Sequence, residues 1–356
     1  MGFSQAAGAD MRSVTKPPPR RALARVVVLL LAANTLAVAS LSAQQTHLLM
    51  VVGLSGGAPY KERFQGWATS IRAAAVDRLG IPEANFVWLA EDPSAAPGQI
   101  KDRATVSSVR TALADIAQRA GDADRLVVVL IGHGTERERK PLFNVAGPDL
   151  SPTDLDLMLD QMAPRRVAVV NTSSASGDFI SGLSGPGRTI ITATRSGRES
   201  NETWFAGFFA EALSGDGADL DKDGRISLLE AFEYARQEVA RYFVENQLLA
   251  TEHALLDDDG DGQGTREPGQ NTNDGLLAST FYVGGSTTEV AAQAAASGDP
   301  VLQRLLRERA QLAEQIAALR ARKGEMEAAA YELDLEALLV DLALKSRELR
   351  EHGGGR

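Results

Sequence analysis

Twelve residues, Asp219-Leu-Asp221-Lys-Asp223-Gly224-Arg225-Ile226-Ser227-Leu-Leu-Glu230, concentrate oxygen ligands at regular spacing. Carboxylates at the first, third and fifth places, the backbone carbonyl of Arg225 at the seventh, the Ser227 hydroxyl at the ninth and a bidentate Glu230 at the twelfth form an oxygen set suited to calcium. Gly224 permits the sharp turn of such a loop, and Ile226 is its apolar eighth residue. The plainer alternative is an acidic loop that caps the helix beginning after Ser227, since aspartates are favoured at a helix N-terminus. A second run, Asp257-Asp-Asp259-Gly-Asp261-Gly262, repeats the three alternate carboxylates and the glycine. Its twelfth place is Pro268, so weak calcium binding and a simple acidic turn stand side by side there.

The other reactive groups end two very apolar runs, LVVVLIGHG and RVAVVNTSSASG, which place His133, Ser173 and Ser174 just beyond strand ends. A serine hydroxyl attacks only if an oriented base takes its proton and donors await the oxyanion. His133 is the candidate base, Ser174 the candidate nucleophile and Ser173 the lesser one; no third carboxylate is identifiable. Gly53-Leu-Ser55-Gly-Gly57 fits G-x-S-x-G, but it follows the first strand and continues as a loop, so its glycines are read as conformational. His47, His253 and His352 belong to no H-E-x-x-H or similar cluster, and a zinc hydrolase is unsupported.

These groups need a scaffold, and the hydrophobic pattern supplies one. Short β-branched or apolar runs at His47–Gly53, Phe86–Ala90, Arg125–Gly132, Arg166–Asn171, Thr189–Ala193 and Ser279–Gly284 read as strands. Amphipathic stretches at Lys61–Leu79, Thr105–Ala120, Thr153–Met162, Glu202–Leu213 and Ser227–Gln247 read as helices between them. Such alternation predicts an α/β fold, a mostly parallel six-stranded sheet with helices on both faces. Ligands of such sheets bind at the carboxyl ends of strands, which makes the loops after Gly132 and Asn171 the important ones.

A strand ending in His-Gly, followed some forty residues later by a strand ending in a nucleophile and X-Ser-Gly, resembles the caspase-like peptidases, and their legumain-like branch most closely. The resemblance covers roughly Leu48 to Gly284 and includes the loop Gly53–Arg63 and the segment ITATRSGRESNETWF. It implies that His133 matches the family histidine and that Ser174 stands where the family keeps its cysteine. Lys61 lies about where legumain-like enzymes carry a substrate-binding arginine, and Thr172 replaces an acidic residue, so a preference for Asn or Asp is not carried over. The resemblance thus implies a caspase-like domain whose peptidase activity is lost or strongly weakened with its thiolate; by its own ligand spacing the acidic stretch Asp219–Glu230 is an EF-hand-like loop inside that domain.

Composition narrows the rest. The 356 residues contain no cysteine, which excludes disulfides, cysteine metal sites and any cysteine nucleophile. A net charge of -10 argues against a nucleic-acid partner, because phosphate binding needs a basic surface. Arg20, Arg21 and Arg25 precede an apolar run from Val26 to Ala43, the order of a secretory signal; cleavage after Ala43 predicts an exported chain, periplasmic or extracellular, with no stable membrane span. An uncleaved signal anchor is the alternative, and Met11 is a candidate start. Residues 44–284 form the predicted main domain and 285–299 a small-residue linker. Residues 300–352 carry leucines in two heptad phases that slip near Gly324, predicting a helical hairpin or coiled coil. The combined expectation is an exported calcium-binding pseudopeptidase, a binding or scaffold protein with a polypeptide ligand in its cleft and self-association through its C-terminal helices. The alternatives are a weak serine hydrolase using Ser174 and His133, and an envelope structural protein oligomerised by that tail.

Overall fold

The computed structural model describes residues 44–162, 166–220, 225–269, 273–284, 299–321 and 326–353. The segments expected to be a signal sequence and a linker, up to residue 43 and from 285 to 298, and the expected phase slip near Gly324 lie outside the described residues. Among them, no helix is long and apolar enough to cross a membrane.

The chain folds as an α/β domain around a mostly parallel seven-stranded sheet. Its strands are β1 (Thr46–Val52), β2 (Phe86–Ala90), β3 (Ile100–Arg103), β4 (Arg125–Ile131), β7 (Arg166–Asn171), β8 (Arg188–Thr192) and β9 (Leu255–Asp257). A separate hairpin pairs β5 (Gly134–Arg137) with β6 (Lys140–Phe143). The sheet order is β3-β2-β1-β4-β7-β8-β9, all parallel except β9, which runs antiparallel to β8. The central strands β1 and β4 are buried at every position, which explains their unbroken runs of Leu, Val and Ile.

Side chains leave a strand alternately to its two faces, and the core divides accordingly. Leu48, Met50, Val127 and Val129 meet α1 (Ala58–Ala73), α5 (Phe205–Ser214) and α6 (Leu228–Glu245) on one face. Leu49, Val51, Val128 and Leu130 meet α2 (Val106–Ala117), α3 (Pro152–Leu159) and the short α4 (Phe179–Leu183) on the other. Local chemistry sets where these helices start. Thr105 accepts from Ser108 N at α2, and reciprocal side-chain and backbone bonds between Ser151 and Asp154 open α3.

Six strands were expected, and the sheet differs from that count in both directions. The predicted strand Ser279–Gly284 does not join it: Ala278–Thr280 forms a 3-10 turn, and the extended residues beyond pair with the start of α6. There Leu228 N donates to Phe281 O at 2.8 Å and Val283 N to Ile226 O at 3.1 Å. The burial of Phe281 and Val283 beneath α6 accounts for the aromatic and β-branched pattern that resembled a sheet strand. β3 and β9 are the additions; β3 exposes Lys101, Asp102 and Arg103, as an edge strand does.

The C-terminal segment forms α7 (Pro300–Ala321) and α8 (Ala328–Gly353). Glu308 pairs with Lys345 at 3.0 Å and Asp299 with His352 at 2.8 Å, so the two helices run antiparallel. Leu305, Leu306, Ile316, Leu319 and Leu342 are buried, whereas Leu333, Val340 and Leu344 remain exposed.

Candidate functional site

β1, β4 and β7 lie side by side and end at the same edge of the sheet, so the three loops that follow them converge. Gly53 N bonds Ile131 O at 2.8 Å, and Thr172 N bonds Leu130 O at 2.9 Å. This edge carries Ser55, His133, Ser173 and Ser174. The loops touch so closely at Gly134 that a Cβ there would lie 2.2 Å from Ser174 O and 2.8 Å from Ser173 Oγ.

Proximity does not make a catalytic pair. Ser174 Oγ donates to Gly134 O at 3.2 Å and accepts from Gly134 N at 3.2 Å. Ser173 Oγ donates to Asn171 Oδ1 at 2.7 Å. Both serines are closed to solvent, at 2 % and 0 % relative exposure respectively. His133 is half-buried, its ring set edge-on against Tyr60 and Phe64 with centroids 4.7 and 5.2 Å away. Burial holds its pKa below the ordinary histidine value, with the nearby Ser55 backbone and the Glu202 charge acting in the opposite direction. Among the described residues no hydrogen bond joins His133 to either serine. The hydroxyls tie the β4 and β7 loops together, while Ala175 directly after them takes a left-handed φ of 53° and donates its N–H to Glu199 O at 2.8 Å.

The charged surroundings of His133 come from residues that spacing along the chain did not single out. Arg63 pairs with Glu202 at 2.6 Å, and its guanidinium lies 4.3 Å from the Trp204 ring centroid, with Tyr60 and Trp67 close by. Lys61, the residue expected to meet substrate, instead pairs with Asp92 at 3.0 Å. The cavity it lines with Ser55, Phe64 and Glu91 measures about 10 Å³, room for no more than a water. Beyond this rim, Glu199 bonds His253 Nδ1 at 2.5 Å and Arg195 Nε at 3.0 Å. Glu252 is buried and accepts from Trp204 N at 2.8 Å and Phe205 N at 2.9 Å, capping α5; burial pushes its carboxyl up to about 8. His47 is a core residue 3.5 Å from Asp124. The clue to Arg63 and Glu202 lay in the two segments that carried the family resemblance, but their pairing spans 139 residues.

Of the first acidic loop, Asp219, Arg225, Ser227 and Glu230 are described, and Asp221 and Asp223 lie outside the described residues. Asp219 and Glu230 are buried. Ser227 Oγ accepts from Glu230 N at 3.2 Å, and Glu230 Oε2 accepts from Ser227 N at 2.9 Å, which makes these two residues the capping box of α6. Glu230 Oε1 accepts from Leu220 N at 2.9 Å, so one carboxylate gathers both ends of the loop. The Arg225 guanidinium stacks 3.6 Å over the Tyr282 ring. A cavity of about 360 Å³, lined partly by Leu220, Leu229, Glu230 and Tyr331, adjoins it.

In the second loop, Asp257, Asp259 and Asp261 each bring a carboxylate oxygen within 4.8 Å of the other two. Asp258 points elsewhere, accepting from Gly275 N at 2.8 Å and Ala278 N at 2.6 Å, while Asp274 accepts from Asp258 N at 2.9 Å. These two acids clamp neighbouring backbone amides and are accounted for structurally.

No protein-family model matches the chain, and no curated protein matches it. Among solved structures it is similar to a structural-genomics crystal structure of a protein from Geobacter sulfurreducens. That likeness has a TM-score of 0.39 at 14% identity and covers 60% of this chain and 92% of that one.

Proposed function

We propose that the chain is an exported pseudopeptidase of caspase-like build that binds polypeptide or serves as a scaffold, with calcium at Asp219–Glu230 as a stabilising ion. The observation that carries this reading is the commitment of the Ser174 hydroxyl to the Gly134 backbone, with no hydrogen bond from His133 to either Ser173 or Ser174 among the described residues. A hydroxyl so placed has neither a base to take its proton nor access to a substrate carbonyl. The aromatic and charged rim formed by Tyr60, Trp67, Trp204, Arg63 and Glu202 gives the same edge of the sheet a surface suited to recognition of polypeptide.

Calcium fits the first loop through its donor set, since the carboxylates of Asp219 and Glu230 are buried at its two ends beside the Ser227 hydroxyl, all oxygen donors of the kind calcium takes. An ion bound only by the folded state raises stability with its concentration. The purified full chain is expected to leave casein uncut in chelator and in millimolar calcium, with a melting temperature that rises on adding calcium. Casein cleavage abolished by Ser174→Ala would overturn the pseudopeptidase reading, and an unmoved melting temperature would remove calcium from it.

The antiparallel helices α7 and α8 are read as a self-association element of coiled-coil type. Leu333, Val340 and Leu344 support this: they recur at seven- and four-residue spacing on α8 and stay exposed within one chain. Light scattering should report a lower oligomeric state once residues 301–356 are deleted; an unchanged state would assign assembly elsewhere.

A further inference from the structure

We propose that Asp257, Asp259 and Asp261 bind a second calcium ion, independent of the one at Asp219–Glu230, at the antiparallel edge of the sheet. Two observations point to a cation at this place. The first is the gathering of one oxygen from each of three carboxylates within 4.8 Å, with no Lys or Arg paired to any of them among the described residues. The second is Asp257 itself. This residue is 1 % exposed, and its Oδ2 is buried without a hydrogen-bond partner, although a buried charged oxygen left unpaired is costly. Its other oxygen is engaged, accepting from Ser184 Oγ at 3.2 Å and Gly260 N at 3.3 Å. A divalent cation would satisfy the unpaired oxygen and relieve the repulsion among the three charges.

The loop chemistry selects calcium. Hard oxygen donors at alternate positions, followed by the backbone carbonyl of Gln263 at the seventh place, suit a flexible shell of six to eight oxygens completed by water. Magnesium demands a near-ideal octahedron and holds its own waters more tightly. Because Pro268 stands where a bidentate glutamate closes a full loop, affinity is expected in the weak range, roughly 10⁻⁴ to 10⁻³ M. Occupancy would fasten β9 and its following turn to α4, since Ser184 Oγ also accepts from Gly262 N at 3.0 Å.

Equilibrium dialysis of the full chain against calcium chloride at millimolar concentration tests this directly. The wild type is expected to retain one more calcium per chain than Asp259→Asn/Asp261→Asn, a double change at two exposed positions. Glu230→Gln, which disables the first loop, is expected to keep the Asp257 ion, so failure of one site is distinguishable from failure of the other. In parallel, Asp257→Asn should raise the melting temperature in chelator and shrink the part of the calcium-induced rise that survives in Glu230→Gln. Equal calcium content in the wild type and the double variant, or an undiminished rise with Asp257→Asn in that background, would overturn the proposal.

Discussion

Gly134→Ala is expected to cost the fold more than about 3 kcal/mol, or to prevent folding altogether. The added methyl would sit 2.2 Å from Ser174 O and 2.8 Å from Ser173 Oγ, and neither group is a flexible side-chain end free to swing away. Relief requires separating the loops that follow β4 and β7, which breaks both hydrogen bonds between Gly134 and Ser174. Gly66→Ala is the matched control. Gly66 lies exposed within α1 with nothing within 4 Å of its would-be Cβ, so alanine there should gain up to about 1 kcal/mol from helix propensity. Urea denaturation of the two variants reads the contrast, and similar small effects at both positions would contradict the close approach on which the site depends.

The second large effect is a pH dependence set by Glu252. Burial pushes its carboxyl up to about 8 from an ordinary 4.5; the Trp204 and Phe205 amides oppose the shift, and the charges of Glu199 and Glu202 add to it. A raised carboxyl pKa means that the folded chain holds this proton more tightly than the unfolded chain does. The associated stability is fully present below about pH 4.5 and is lost as pH rises through about 8. Melting temperatures in chelator should therefore fall across that window in the wild type and fall less in Glu252→Gln, which keeps an acceptor for the α5 amides but carries no titrating proton. Parallel curves for the two proteins would show that Glu252 is ionised without penalty.

The parts of this protein that could be read from its sequence are those dictated by continuous burial. Phe86–Ala90 and Arg166–Asn171 emerge as strands with the expected bounds because every second residue packs on each of two helical layers. β3 escaped because three of its four residues are exposed and charged, and β9 because a three-residue strand running into aspartates has no periodicity to detect. Ser279–Gly284 misled for the opposite reason, since its buried aromatic and β-branched residues serve α6 rather than the sheet.

The site divides along the same line. Strand ends placed His133 and Ser174 on adjacent loops, as their spacing implied, but side-chain direction depends on remote partners. The His133 ring is set by Tyr60 and Phe64, and the Ser174 hydroxyl by the backbone of Gly134. Likewise, Glu199 meets His253 across 54 residues, a pairing that no local motif encodes. The Ser227/Glu230 pattern had two meanings at once, cation loop and helix cap, and the capping half is the one formed by the described atoms.

Intact-mass measurement after exposure to a fluorophosphonate tests the central claim most directly, because covalent capture requires only an activated serine and no knowledge of substrate. The full chain is expected to remain unmodified, with and without calcium, because Ser174 is closed off and bonded to Gly134. A single stoichiometric adduct that disappears in both Ser174→Ala and His133→Ala would contradict that account and establish a working hydrolase dyad.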